Sequence, residues 1–132
     1  MVVIDTNVWI EFLKRPASAV GNHLGDLLRQ NRAVLVGIVL TEVLRGIRND
    51  DQRRLVSDVL DGVAYVETTR SIFARAGEIA REMDVAGNPI PTNDALIGAI
   101  AIEGDHEIFT LDRRHFERIP GVRLYDPQGD NR

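Results

Sequence analysis

Residues 2–10 read VVIDTNVWI, an apolar β-branched run interrupted by the carboxylate of Asp5 and the polar pair Thr6 and Asn7. The first three residues predict a short buried strand. Thr6 and Asn7 are both good N-cap residues, so we expect the following segment to be a helix that ends before Pro16. Asp5 therefore stands at the end of a buried strand, where a carboxylate without a partner is rare.

The same alternation of short apolar runs and helical periodicity continues along the chain. Further strands are predicted at AVLVG, VAYV, HEIFTL (ending on Asp112) and VRLY. Helices are predicted over residues 17–31, over IVLTEVLRGI with Leu40, Val43, Leu44 and Ile47 on one face, over DDQRRLVSDVLDG, over residues 69–84, and over DALIGAIAIEG with Thr92 or Asn93 as its cap. The segment GNPIPTND, with two prolines and a glycine, is predicted to be a loop. Strands alternating with helices indicate an α/β fold with a mainly parallel sheet of four or five short strands, covered by helices on both faces.

Composition limits the classes of protein to consider. The chain has 132 residues, of which 44% are hydrophobic and 27% charged, so we expect one soluble domain with a real core. It contains no cysteine, no run long enough to span a membrane and no visible export signal, which favours a cytoplasmic protein. A net charge of −4 argues against a broadly basic nucleic-acid surface. Lys14 is the sole lysine in the sequence, which excludes a P-loop.

Four acidic residues are predicted to meet at one edge of the sheet. Asp5 and Asp112 end strands, whereas Glu42 and Asp94 lie in the first turns of helices. In parallel sheets ligands bind outside the carboxyl ends of the strands. Two carboxylates ~5 Å apart repel by about 3 kcal/mol at an effective dielectric constant near 20, so such a cluster needs protons or a cation. All-oxygen ligands indicate Mg²⁺ or Mn²⁺, and such a site suits phosphodiester hydrolysis. Taken singly, each acid could instead be a turn former, a helix cap or, for Glu42, a surface partner of Arg45.

Four segments carry a resemblance to a known family: VVIDTNVWI, LTEVLRGI, PTNDALIGAIA and IFTLDRRHFERIPGVRL. In order, content and spacing they resemble a PIN-domain ribonuclease of the VapC toxin type, over nearly the whole chain. The resemblance implies a three-layer α/β/α PIN-like fold, with residues 1–132 forming a single PIN domain. It also implies a metal-dependent endoribonuclease in which Asp5, Glu42, Asp94 and Asp112 hold Mg²⁺ or Mn²⁺.

Three polar residues are expected beside this acidic quartet. Thr6 and Asn7 match the polar pair after the first acid, and Thr6 either bonds within the site or caps the helix. Thr110 lies two residues before Asp112, so on a strand the two side chains share a face. Thr110 can then orient a ligand from behind the acids, or it is simply a buried, satisfied threonine.

The resemblance also implies partners. Such toxins form homodimers, and a cognate antitoxin silences them in a hetero-oligomer, with an arginine reaching the acids. An RNA substrate is expected to be positioned through its phosphates by Arg113, Arg114 and Arg45, unless these arginines are merely solvated. His115 could shuttle a proton, but a lone histidine beside arginines is more often an exposed surface residue.

Three other functions share features with this sequence. A phosphatase with an aspartyl nucleophile is excluded, because its DxD start and later lysine are missing: position 7 is Asn7 and no lysine follows Lys14. A deoxyribonuclease remains possible on chemistry alone, although the large insertions of flap nucleases are absent. A non-catalytic PIN-fold module that binds RNA or a partner is the main alternative, but such modules usually lack some of the acids.

Overall fold

A computed structural model describes residues 1–129 of the chain. The elements in chain order are β1 (Val2–Ile4), α1 (Thr6–Lys14), α2 (Ala19–Arg29), β2 (Ala33–Val36), α3 (Gly37–Arg45), α4 (Asp50–Asp61), β3 (Ala64–Val66), α5 (Arg70–Val85), α6 (Thr92–Gly104), β4 (Glu107–Phe109), α7 (Arg113–Glu117) and β5 (Arg123–Leu124). The five strands form one sheet in the order β3-β2-β1-β4-β5, and every neighbouring pair is parallel. The predicted three-layer α/β/α fold with a parallel sheet is confirmed.

The central strand β1 defines the functional edge of the sheet. Val3 pairs with Val34 of β2 on one side and with Ile108 of β4 on the other. All residues of β1 and β2 are buried, which explains why both strands are continuous apolar runs without alternation. The chain steps outward from β1 to β3 and then returns to β4, so the strand order reverses between β1 and β4. A crevice for ligands is expected at the carboxyl ends of these two strands.

The helices pack as two groups against this sheet. Helix α1 contacts α2 and α3, whereas α6 contacts α5, α7 and β4. Helix α6 is buried continuously from Asp94 to Ala101, because neighbours cover it on several sides. The predicted apolar face of α3 was partly wrong. Val39 and Val43 are the buried residues of that helix, and Leu44 is 43% exposed. No helix among residues 1–129 is long and apolar enough to cross a membrane.

Two predicted boundaries shift, and both shifts occur beside the acidic residues. Helix α6 begins at Thr92 with Pro91 in the N-cap position, so neither Thr92 nor Asn93 caps it as expected. The carbonyl of Pro91 accepts the first helical hydrogen bonds, and proline at this point loses no needed donor. Strand β4 ends at Phe109 and not at Asp112, which instead occupies the N-cap position of α7. The carbonyl of Phe109 accepts a hydrogen bond from the backbone N–H of Asp5, and the pairing of β1 with β4 ends there.

Candidate active site

Asp5 lies at the carboxyl end of β1 and is 7% exposed. Its Oδ1 accepts a hydrogen bond from the Thr6 backbone N–H at 2.8 Å, so Asp5 itself, and not Thr6 or Asn7, is the N-cap of α1. Its Oδ2 accepts from the Thr110 hydroxyl at 2.7 Å. Burial raises the pKa of Asp5, the nearby charges of Asp94 and Glu42 raise it further, and the two hydrogen bonds lower it in part. The net direction is upward, so ionising this carboxyl group costs free energy.

Thr110 connects two of the acids. Its buried hydroxyl donates to Asp5 and accepts from the backbone N–H of Asp112 at 2.9 Å. The expectation that Thr110 and Asp112 share the face of a strand was wrong, because both residues lie in the turn after β4. Because of this turn, the Thr110 hydroxyl contacts both Asp5 and Asp112 and fixes the positions of these two acids. Asn7 supports the same turn by accepting the Leu111 N–H at 3.1 Å.

Glu42 projects from α3 towards the same edge and is half-buried. The Thr6 hydroxyl donates to its Oε1 at 3.0 Å, and the Asn93 amide donates to its Oε2 at 3.5 Å. Thr6 therefore bonds within the site and does not cap the helix with its side chain. The contact of Asn93 was not anticipated, since the sequence suggested only a capping role for it.

Asp94 and Asp112 converge on His115. Asp94 is 8% exposed, and its Oδ2 lies 2.6 Å from His115 Nδ1. Asp112 Oδ2 lies 2.9 Å from the same nitrogen. Burial raises the pKa of Asp94, His115 lowers it, and the charges of Asp112 and Glu42 raise it again, with an upward net direction. Treating His115 as a lone surface residue was therefore wrong. Its spacing of three residues after Asp112 was the available signal, because residues i and i+3 are neighbours on a helix.

The four acids thus share one electronegative edge of the sheet. Charge interactions couple Asp5 to Asp94 and Glu42, and couple Asp94 to Asp112 and Glu42. Among residues 1–129, no lysine or arginine forms an ion pair with any of them. The donor atoms of Asp94, Asp112 and His115 lie within 4.8 Å of one another, close enough to share one ion. This donor set fits a divalent metal ion, because a cation would favour the ionised carboxylates that burial, and to a lesser extent mutual repulsion, disfavour at Asp5 and Asp94.

Sequence comparison agrees with this geometry. The family model described as the PIN domain matches residues 2–122. The chain belongs to the PIN-domain family. Ribonuclease VapC19 of Mycobacterium tuberculosis is 29% identical over 125 residues, which cover 93% of this chain and 98% of that protein.

Two solved structures show how far the fold of this PIN domain is shared. VapBC2 from Rickettsia felis, bound to a DNA fragment from its promoter, gives a TM-score of 0.81 at 23% identity and covers 95% of this chain and 98% of that one. A toxin–antitoxin complex from Klebsiella pneumoniae gives a TM-score of 0.75 at 21% identity, with 96% and 98% covered. At these identities the similarity establishes the fold.

The arginines proposed to contact RNA differ in their surroundings in the PIN domain. Arg113 lies 3.6 Å from Glu117 and donates to the Tyr125 carbonyl at 3.4 Å. Arg114 and Arg45 are exposed, and neither forms an ion pair with another described residue. Arg45 lies three residues after Glu42, and Arg114 lies two residues after Asp112. Unlike Arg113, these two residues have no ion-pair partner within residues 1–129.

Proposed function

We propose that this PIN domain is a divalent-metal-dependent endoribonuclease and the toxin of a toxin–antitoxin pair. The observation that carries the proposal is the convergence of Asp5, Glu42, Asp94 and Asp112 at the carboxyl ends of β1 and β4, with no arginine or lysine of the described chain neutralising them. The naming of the relative from M. tuberculosis as a ribonuclease supports the choice of RNA as substrate. We also propose that the chain forms one domain over residues 1–132, of which residues 130–132 lie outside the described part, and that the protein acts in the cytoplasm.

In this proposal the four acids hold Mg²⁺ or Mn²⁺. When bound, such an ion supplies Lewis-acid polarisation of a phosphate oxygen and lowers the pKa of water. The protein's own contribution is to fix the ligands. Thr6 and Thr110 hold Glu42 and Asp5 in position by hydrogen bonds, which prevents repulsion from spreading the carboxylates apart. Hydrolysis at this site would add water to the scissile phosphate and break its bond to the 3′-oxygen, leaving a 5′-phosphate on one product and a 3′-hydroxyl on the other.

The charges around the site suggest how it binds its substrate and its partner. Arg113, Arg114 and Arg45 are proposed to contact RNA phosphates and position them over the acids. A cognate antitoxin is proposed to inhibit the enzyme by placing an arginine against the acids, since a bidentate arginine–carboxylate pair is a strong contact. The complex of the K. pneumoniae relative is consistent with such a partner. We further propose that the toxin is a homodimer and that it joins the antitoxin in a hetero-oligomer.

The proposal is tested by incubating antitoxin-free protein with total RNA in the presence of Mg²⁺, Mn²⁺ or a chelator, and by sequencing the new ends. We expect cleavage with either ion and none with the chelator. Asp94→Asn should lower cleavage by about 100-fold or more. The matched control is Asp58→Asn, which removes one exposed carboxylate from α4.

Three outcomes would contradict the proposal. Cleavage that persists in chelator, or in folded Asp94→Asn, would show that the acidic cluster is not the catalytic centre. RNA binding without cleavage under every metal condition would identify a non-catalytic binding module. Cleavage of single-stranded DNA at the rate of RNA would reassign the substrate.

A further inference from the structure

We propose that His115 Nδ1 is a ligand of the divalent ion, and that it makes the site prefer Mn²⁺ over Mg²⁺. This inference rests on the proposed function, since it concerns the ion held by the same acids. It adds a nitrogen donor to a site that the sequence predicted to be all oxygen. It assigns to His115 the preference of the site for Mn²⁺.

The geometry around Nδ1 is not fully explained by one hydrogen bond. One nitrogen atom faces two carboxylate oxygens, at 2.6 Å from Asp94 and 2.9 Å from Asp112. A neutral imidazole carries at most one proton on that nitrogen, so it can donate well to one of the two oxygens. The contact to Asp94 has hydrogen-bond geometry. The proton on Nδ1 therefore does not account for the close contact with Asp112, and a bound cation would.

The spacings match those of neighbouring ligands around one ion. Two cis ligands of an octahedral ion are about 3 Å apart when each lies about 2.1 Å from the metal. The two contacts of His115 are close to that value, and the whole group lies within 4.8 Å. Small adjustments of the side chains would therefore allow the three donors to bind a common ion.

The position of His115 is fixed by its helix. Phe116, the next residue of α7, is fully buried, as is Ile119 just beyond the end of the helix. These two apolar anchors hold α7 against the domain, so the imidazole of His115 is directed at Asp94 on α6. The ring itself is 35% exposed, which leaves access for an ion.

A nitrogen ligand changes which ion is preferred. Mg²⁺ is bound almost entirely through oxygen, whereas imidazole is a good ligand for first-row transition ions. Losing one ligand or its support lowers metal affinity by about tenfold or more. We therefore expect His115 to contribute to Mn²⁺ affinity far more than to Mg²⁺ affinity.

The experiment measures metal binding directly, without RNA. Mn²⁺ is titrated into the full chain and followed by electron paramagnetic resonance, and Mg²⁺ affinity is obtained by competition. Electron spin echo modulation of bound Mn²⁺ then reports a directly coordinated imidazole nitrogen. Labelling with ¹⁵N-histidine assigns the modulation to a histidine without any substitution.

His115→Asn identifies which histidine is responsible, since the amide can place an oxygen near the position of Nδ1. It should abolish the nitrogen modulation and lower the preference for Mn²⁺ over Mg²⁺ by about tenfold, while Mg²⁺ still binds. His23→Asn is the matched control. It makes the same change on α2, where the histidine contacts none of the acids by hydrogen bond or ion pair. If His115→Asn does not fold, His115→Gln replaces it.

The outcomes separate the two proposals. Nitrogen modulation that shifts with the label and disappears in His115→Asn supports the assignment of His115. Bound Mn²⁺ without histidine modulation, or with modulation that survives in His115→Asn, overturns this inference and leaves the acidic metal site intact. A wild-type protein that binds neither ion overturns the metal site itself, and the inference with it.

Discussion

Replacing Thr110 by valine tests whether one hydroxyl group holds the acidic cluster together. Valine has nearly the same shape, so the change removes the hydroxyl and leaves no large cavity. Thr110 is 4% exposed, and water therefore cannot easily replace its two hydrogen bonds. The substitution deprives Asp5 Oδ2 of its 2.7 Å donor and the Asp112 N–H of its 2.9 Å acceptor.

The expected cost follows from these two bonds. A hydrogen bond to a charged group contributes about 1.5–3 kcal/mol, and a typical neutral one contributes about 1 kcal/mol. The sum is roughly 2–4 kcal/mol, a large share of the 5–15 kcal/mol that stabilises an ordinary domain. The hydrogen bond of Thr110 lowers the pKa of Asp5, so it is stronger to the ionised carboxylate. The cost of the substitution should therefore be greater at pH 8 than near pH 4.

Urea unfolding of the metal-free protein at both pH values measures this cost. Thr41→Val is the control, because the exposed Thr41 hydroxyl donates only to the Gly37 carbonyl within α3. That change should alter the free energy of unfolding by no more than about 0.5 kcal/mol. A cost below about 1 kcal/mol for Thr110→Val, or one independent of pH, would refute the idea that this hydroxyl anchors a buried charge.

Three further predictions concern the acids themselves. Asp94→Asn should lower single-turnover RNA cleavage by about 100-fold or more while its circular dichroism spectrum is unchanged; equal rates in the variant and the wild type would count against the site. Asp5→Asn should gain stability relative to the metal-free wild type as the pH rises. The raised pKa of Asp5 lowers the free energy of unfolding of the wild type. This loss is absent at pH values below the pKa of Asp5 in the unfolded chain, near 3.8, and complete at pH values above its pKa in the folded protein. Urea unfolding across this range checks the sign, and a gain that grew towards low pH would contradict it. Finally, Mn²⁺ at 100 times its dissociation constant should stabilise the wild type by about 2.7 kcal/mol and Asp94→Asn far less, as measured by thermal unfolding.

The strands and the general location of the acids could be predicted from the sequence. Segments such as VVI and AVLV are apolar at every position, which is typical of strands buried on both faces of a parallel sheet. Once the sheet is parallel, its carboxyl ends lie on one edge. The acids that follow strands or begin helices must then be near one another, whatever their separation in the chain.

The predictions for α3 and β4 were partly wrong because contacts with neighbouring elements override the local sequence pattern there. Leu44 fits the apolar stripe of α3, yet it is exposed. The neighbouring elements decide how much of that stripe is buried, and the sequence of α3 alone does not show this. The end of β4 was placed three residues too late, since the sequence does not show where a partner strand stops pairing.

Sequence alone determined that this chain forms a parallel α/β sheet with four carboxylates at its carboxyl edge, because hydrophobic periodicity and the alternation of strands with helices are properties of the chain. Only the tertiary structure decided which groups hold those carboxylates. Thr110 binds Asp5 across 105 positions, and His115 meets Asp94 from another helix. Such contacts depend on the turn at residues 110–112 and on the packing of α7. Those features are set by the assembled core, and no local pattern of residues contains them.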